Sequence, residues 1–464
     1  MLMDQVLARF LEKSPVPVMA RALLERALSA GELDEMFERT ATQQYTRSLL
    51  FSTCVNLLTL VVCRIRKSVN DAYKVTPEAM GVAIQSVYDK LKGIEPSVCR
   101  EMVRHCARRL GEAIRQMRGE REPLLAGYRV KMLDGNCLGS SEHRILETRT
   151  ISSGPLPGKS LVVYDPQLSL AIDVVPCEDG HSQERSLLSQ LLDTIEANDV
   201  WVADRNFCTF DFLYQINKRD AFFIIRHHKG MVYDETGPWQ QVGPIETGYV
   251  FERTVVVRSD DGRKLEMRLL RIQLHNDTRD GDSEIYVLTN LPVDVNACRI
   301  AEIYRDRWMI ETAFQTLTQA LRCEIETLGY PKAALFGFCV ALACYNVQQS
   351  IRAALRSVWG EEKIDAELSD YYVAHDIDAI SAGMMVVLPD EDWKKFGYMP
   401  AEEFAAFLQQ AAGNVDLVRY KKSTRGPKKP KAPRTKSDQP HVSTKRLLDA
   451  RKQTSSSKPS TEDP

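Results

Sequence analysis

The chain is expected to fold as an α/β protein: a mixed sheet with flanking helices, interrupted by a β-rich insertion and preceded by an all-helical N-terminal region. Three observations predict this. Residues 1–122 carry turn-like breaks at Pro15-Val16-Pro17, Gly31 and Gly93 to Pro96, but no alternating strand pattern. From about residue 126 short apolar runs separated by Gly and Pro begin, as strands require. Between residues 182 and 226 helical and strand patterns alternate, which calls for helices packed on a sheet.

With 464 residues, 44% of them apolar, the chain is long enough for two to four domains with well-buried cores. Within 1–122, the apolar run Leu49 to Cys63 is too short to cross a bilayer and contains Ser52, Thr53, Asn56 and Thr59, so it reads as a buried helix and no membrane partner is expected. On a helix starting near Pro96, Arg100, Arg104, Arg108, Arg115 and Arg118 fall within an arc of about 80°. Val103, Ala107, Leu110, Ile114 and Met117 make a separate apolar side. The arginine face is either solvated or a phosphate-contacting surface.

Residues 123–228 hold strand patterns at Tyr128 to Leu133, Arg144 to Ile151, Ser160 to Tyr164 and Leu168 to Val175, then a helix from Ser182 to Ala197. A buried strand at Asp199 to Ala203, a helix at Thr209 to Lys218 and a strand at Ala221 to Arg226 complete this part. In the insertion, 229–291, alternation returns at Tyr249 to Val257, Lys264 to Leu274 and Glu284 to Leu288, with turns such as Asp260-Asp261-Gly262. Residues 292–356 open on a helix running from about Asn296 past Leu321, and 357–419 read as helical with an acidic excess.

The last stretch, 420–464, is rich in Lys, Pro, Ser and Thr. From Lys421 onward 13 Lys/Arg stand against 4 Asp/Glu, a net of +9, which leaves −11 for residues 1–420 of a chain whose net charge is −2. Such a segment cannot bury enough apolar surface to fold alone, so it reads as a basic disordered tail, suited to loose phosphate contact or simply solvated. Eleven scattered cysteines without a C-x-x-C pair argue against a zinc ribbon or disulfide framework and for the reducing cytoplasm. No basic stretch followed by an apolar core marks a signal peptide at the N-terminus.

Three carboxylates stand apart by their settings. Asp134 ends the run Val-Lys-Met-Leu-Asp-Gly-Asn, and Asp204 ends Val-Trp-Val-Ala-Asp-Arg-Asn-Phe. A strand end lets an acid face solvent or a metal while its strand stays buried, although each aspartate is also a good turn former. Glu311 lies on the helix after the insertion, where Tyr304, Arg307, Glu311, Gln315 and Arg322 form a polar strip beside the apolar stripe of Ile303, Ile310, Phe314, Leu317 and Leu321. Alone, Arg307 and Glu311 make an ordinary helix ion pair. With the two aspartates, Glu311 completes a set of hard oxygen donors suited to Mg²⁺ or Mn²⁺. Two such ions roughly 4 Å apart serve phosphoryl transfer on a nucleic-acid backbone.

The motifs Leu-Asp-Gly-Asn around Asp134, Ala-Asp-Arg-Asn-Phe around Asp204 and Leu-Thr-Asn-Leu before the glutamate helix are joined by Tyr304, Arg307 and Glu311 in the pattern Y-x2-R-x3-E-x6-K. Over most of residues 1–355 this resembles the IS4 family of bacterial insertion-sequence transposases. The resemblance implies an RNase H-like catalytic core in which Asp134, Asp204 and Glu311 bind two Mg²⁺ or Mn²⁺ ions as a DDE triad. It implies cleavage at the element's ends and transfer of the 3′-OH into target DNA. Tyr304 and Arg307 would grip terminal DNA, and the N-terminal region, with Arg100, Arg104 and Arg108, would bind the DNA ends. Implied partners are terminal inverted repeats, target DNA and a second protomer in a homodimer at paired ends. The implied location is cytoplasmic and nucleoid-associated.

In relatives the inserted subdomain can supply a tryptophan that stacks on a flipped base, and Trp239 is the only tryptophan in this insertion. The signature lysine is replaced by Thr318, and Arg322, one turn further on, is the candidate to take over its DNA contact. Thr318 also motivates a second reading, a catalytically weakened or recruited transposase-derived DNA-binding protein. A stand-alone nuclease with the same core would need neither the N-terminal region nor the insertion.

Overall fold

The computed structural model describes residues 2–44, 46, 48–75, 81–139, 145–149, 151, 153–278, 281–423 and 441–456. Its centre is a mixed sheet built from β1 (Arg129–Leu138), β3 (Gly158–Asp165), β4 (Leu170–Cys177), β5 (Asp199–Ala203), β6 (Phe222–Arg226), β7 (Asp234–Glu235), β8 (Gln240–Ile245), β9 (Gly248–Arg258), β10 (Lys264–Leu274) and β11 (Glu284–Thr289). A short β2 (Gly154–Leu156) stands apart. The order is β4-β3-β1-β5-β6-β11-β10-β9-β7, with β8 also on β9. Strands β1, β3 and β4 form an antiparallel meander, and β5 and β6 run parallel to β1. The strands of 229–291 pair onto β6 through β11, so they extend the same sheet.

Every residue of β5 is buried, as expected of a strand covered on both faces. Alternation sorts the two faces. Val130, Met132, Val200 and Val202 join a core with helices Phe51–Val62, Ala297–Asp306 and Trp308–Ala320, while Leu133, Trp201 and Ala203 join another with Leu187, Leu191, Phe212 and Ile216. The helix Pro331–Trp359 supplies side chains both to the first core and to a third, largely helical one. It is the one described helix long and apolar enough to cross a membrane, and 94% of its apolar window is buried inside the protein. From it Asn346 hydrogen-bonds both backbone groups of Ala171, at 2.8 Å each, covering part of edge strand β4.

Several expectations are corrected. The glutamate helix is broken: Ala297–Asp306 ends, Arg307 forms the joint, and Trp308–Ala320 follows, with Leu321 already extended. At the joint Arg307 N bonds Tyr304 O and Ile310 N bonds Arg307 O, each at 3.2 Å, a three-residue spacing that tightens the turn. Glu184–Thr194 is a 3₁₀ segment inside the predicted helix, because its leucines dock on the sheet in a tighter winding. The predicted strand at Arg144 to Ile151 is, where described, a 3₁₀ turn at Leu146–Thr148; residues 140–144, 150 and 152 lie outside the described residues.

The tail expected to be disordered contains β12 (His441–Ser443), paired in parallel with β2, and the helix Thr444–Ser456. Arg446 pairs with Asp179 at 2.9 Å and Arg451 with Glu147. Local composition does not reveal this, because the partner strand comes from a distant part of the chain. Residues 424–440 and 457–464 lie outside the described residues.

Candidate active site

Parallel pairing aligns the two aspartates. Leu133 on β1 pairs with Ala203 on β5, so Asp134 and Asp204 follow side by side. By alternation with Met132 and Val202 they project to the face where the two halves of the glutamate helix pack. Asp134 does not end its strand: β1 continues to Leu138 because β3 still pairs with it, whereas β5 stops at Ala203. The acid thus sits on a lip where one neighbouring strand has ended.

Arg307, at the helix joint, connects the third acid. Its Nη1 is 3.3 Å from Asp134 Oδ2 and its Nη2 is 2.8 Å from Glu311 Oε1. Burial pushes the Asp134 carboxyl up to about 6, against the pull of Arg307 and of the Gly135 N–H; Asp204 and Glu311 add to the rise by like-charge repulsion. Burial also raises the Tyr304 hydroxyl. For Arg307 burial acts against the charge, yet Tyr304, Asp134 and Glu311 hold its pKa above the ordinary value. Asp204 Oδ1 caps the turn after β5 by accepting from Asn206 N at 2.7 Å.

Asp204, Tyr304, Arg307 and Glu311 line a cleft of about 650 Å³ together with Arg205 and Arg226, and Asp134 lies behind Arg307, outside the cleft lining. Trp308 is 61% exposed at the same cleft. A smaller cleft of about 420 Å³ shares Arg205 and Arg226 and adds His227, His228 and Lys229. Gln315, one turn beyond Glu311 on the same helix Trp308–Ala320, lines a separate polar cleft of about 850 Å³ that contains none of the three acids. Trp308, Arg205 and Arg226 were not singled out from sequence. The available signals were a tryptophan directly after Arg307 and arginines at the ends of two buried strands.

Other predicted contacts fall elsewhere. Arg100 and Arg104 both fork onto the buried Asp173 and also reach Asp193, so they clamp the Pro96–Met117 helix to β4 and are not free for DNA. Arg108 lies at the surface, paired with Glu101 at 3.1 Å. Trp239 is packed against two guanidinium groups, Arg253 at 4.4 Å and Arg271 at 4.9 Å from its ring, and near Tyr286; it does not line the cleft and is not placed to take a flipped base there. Arg322 lies beyond the helix end, donating to the carbonyl of Lys67, with its backbone N on Val62 O at 2.9 Å. Arg322 does not stand one helical turn beyond Thr318, because the helix stops at Ala320. Thr318 donates to its own helix, to Phe314 O at 2.9 Å.

Among the described residues no group of three or more His, Cys, Asp or Glu side chains is already gathered as a metal cage. Arg307 occupies the space between Asp134 and Glu311. The donors nonetheless fit a hard divalent cation: they are all carboxylate oxygens, and a buried Asp134 carboxyl shifted to about 6 is one that a further cation would stabilise.

No curated protein matches the chain. Residues 158–347 match the family model of the transposase DDE domain, a stretch that takes in Asp204, Arg307 and Glu311 and begins after Asp134. Over that stretch the chain is similar to transposase DDE domains, which supports a DDE transposase with DNA as its partner.

Proposed function

We propose that the protein is a cut-and-paste DNA transposase of the IS4 kind, cleaving at the ends of an insertion element and transferring the 3′-OH into target DNA. The observation that carries this is the convergence of Asp134 and Asp204, side by side on parallel strands, with Glu311 joined to Asp134 through Arg307. The strand order supports an RNase H-like core: a three-stranded antiparallel meander followed by two strands parallel to its first.

Asp134, Asp204 and Glu311 would hold Mg²⁺ or Mn²⁺, which supplies activation of the attacking oxygen and stabilisation of the leaving one. The chain's own residues do the rest. Arg205 lines the cleft and its smaller neighbour beside Arg226, which is paired with Asp282 at 2.7 Å, and these would meet the phosphates of a DNA strand. Arg307 spends two of its five N–H donors on Asp134 and Glu311 and has others left for a phosphate oxygen. Trp308 offers an exposed ring for stacking on a base at the cleft. Pairing of two protomers across the ends belongs to the same proposal.

Purified protein with Mg²⁺ and DNA bearing the flanking inverted repeats is the test. Asp204→Ala and Glu311→Ala are expected to lower cleavage by about 10³-fold or more while end binding persists, because they remove metal ligands and not phosphate contacts. Binding by the wild type without cleavage would favour a recruited DNA-binding protein, and wild-type rates in either variant would remove that residue from the site.

A further inference from the structure

We propose that Glu184 is a positioning residue of this site, orienting Asp204 and supporting the strand at Gly135 from the opposite face of the sheet. The proposal rests on the reading of Asp134, Asp204 and Glu311 as the reacting site. Glu184 opens the 3₁₀ segment Glu184–Thr194, whose Leu187, Leu188 and Leu191 pack into the core on the side away from Glu311. It therefore does not line the cleft with Asp204 and Glu311; it reaches the two aspartates through the backbone that carries them.

The link to Asp204 runs through Asn206, which is held at three points. Its backbone N–H donates to Asp204 Oδ1 at 2.7 Å, its carbonyl accepts from Arg185 Nε at 2.8 Å, and its side-chain Nδ2 donates to Glu184 Oε2 at 3.2 Å. Asp204 lies at the end of a strand, and among the described residues the Asn206 N–H is the hydrogen bond that fixes the rotation of its carboxyl. A turn held by Glu184 and Arg185 presents the Asn206 N–H in one place, and the carboxyl follows it.

The link to Asp134 is steric. Residue 135 points to the face opposite Asp134. A Cβ built on Gly135 would lie 2.2 Å from Glu184 Oε1, so the carboxylate occupies the space that a side chain there would need. Gly135 in turn donates its N–H to Asp134 Oδ1 at 2.9 Å. Each aspartate thus accepts a backbone N–H from a residue that Glu184 touches, and one side chain ties β1 at Gly135 to the end of β5 behind the site.

The experiment uses the full chain and DNA bearing the flanking repeats, and reads the Mg²⁺ dependence of cleavage beside end binding and the thermal midpoint. Glu184→Ala is expected to raise the Mg²⁺ needed for half-maximal cleavage by about 10-fold, with end binding and midpoint unchanged. Glu184→Gln keeps an oxygen for Asn206 Nδ2 and should stay within about threefold of wild type. Asn206→Ala should reproduce the shift of Glu184→Ala, and the double variant should be no worse than either single one, as for two residues of one chain of contacts. A wild-type Mg²⁺ requirement in Glu184→Ala, equal damage in Glu184→Gln, or additive effects in the double variant would each overturn the assignment. If Asp204→Ala is dead while Glu184→Ala is wild type, this inference alone fails; if Asp204→Ala cleaves normally, the site reading beneath it fails.

Discussion

Two carboxylates on the same sheet meet arginine in opposite ways. Asp173 on β4 is fully buried and takes bonds from both Arg100 and Arg104 at 2.8 to 2.9 Å, from Thr194 Oγ1 at 2.5 Å and from its own neighbour, Val174 N, at 2.8 Å. Burial raises such a group, yet these donors together hold its carboxyl below the ordinary range. Asp134 on β1 shares a single arginine with Glu311, and there burial wins. The number of donors per acid separates the two places. Asp173 is closed and structural, while Asp134 is left with negative charge that its surroundings only partly compensate.

Breaking the closed cluster should produce the larger effect on stability. Asp173→Ala leaves Arg100 and Arg104 facing a buried gap, and removing one partner of a buried ionic cluster typically costs about 3–5 kcal/mol. Since the folded pKa of Asp173 is lowered, its contribution is present above the ordinary carboxylate range and lost as pH falls through the folded value. Urea unfolding of wild type and variant at pH 7, and again below the ordinary carboxylate range, measures both, the difference between the two shrinking at the lower pH. A loss under about 1 kcal/mol at pH 7 would show that the arginines find water instead, and the contrast with Asp134 would collapse.

The open cluster should respond with the opposite sign. Asp134 has its pKa raised from 3.8 to about 6 in the folded protein, so protonation stabilises the fold below pH 3.8 and that stabilisation is lost as pH rises through 6. Asp134→Asn, which cannot ionise, should therefore be more stable than wild type by about 2–3 kcal/mol at pH 8 without divalent ions, and nearly equal to it at pH 3.5. Adding Mg²⁺ should stabilise the wild type and leave the variant unmoved, because the ligand binds the folded state alone. A variant less stable than wild type at pH 8 would mean that Arg307 compensates Asp134 fully, making the two clusters alike.

The contrast also marks what the sequence could disclose. Strands β5 and β6 were legible as short apolar runs, and Asp134 and Asp204 stood out because each follows such a run and Glu311 offered a third acid, although either aspartate alone reads equally as a turn former. Glu311 and Arg307 were legible by spacing, but the break at Arg307 was not: no Gly or Pro stands there, and the residues on either side of it, Tyr304 and Ile310, are both buried. The arginines of the Pro96 helix showed their shared face but not its partner, Asp173, because an acid on a distant strand leaves no periodic trace. Strand β12 was hidden for the same reason: its hydrogen bonds go to Gly154–Leu156, far away in the chain. Glu184 was not singled out from the sequence, and its place shows only in its contacts with Asn206 and with the backbone at Gly135.

The smallest expected effect concerns Arg322, which tests whether an arginine outside both clusters serves the reaction. The helix that carries Thr318 ends at Ala320, and the next residue, Leu321, turns extended, so Arg322 no longer follows the azimuth of Glu311. Its guanidinium donates to the Lys67 carbonyl, its backbone N bonds Val62 O at 2.9 Å, and Arg64 reaches Leu321 O at 3.3 Å; together these pin the end of the helix to the N-terminal region. An arginine spent on a backbone carbonyl contributes about 1 kcal/mol through its hydrogen bond. Arg322→Ala is accordingly expected to lower stability by that amount and to leave the cleavage rate at saturating DNA within about twofold of wild type, equivalent to less than about 0.5 kcal/mol on the barrier. Thr318→Lys, on an exposed turn of the same helix, should then change cleavage independently of residue 322. A loss of cleavage beyond about 10-fold in Arg322→Ala, with the thermal midpoint held, would show that DNA draws Arg322 away from Lys67 and into the reaction.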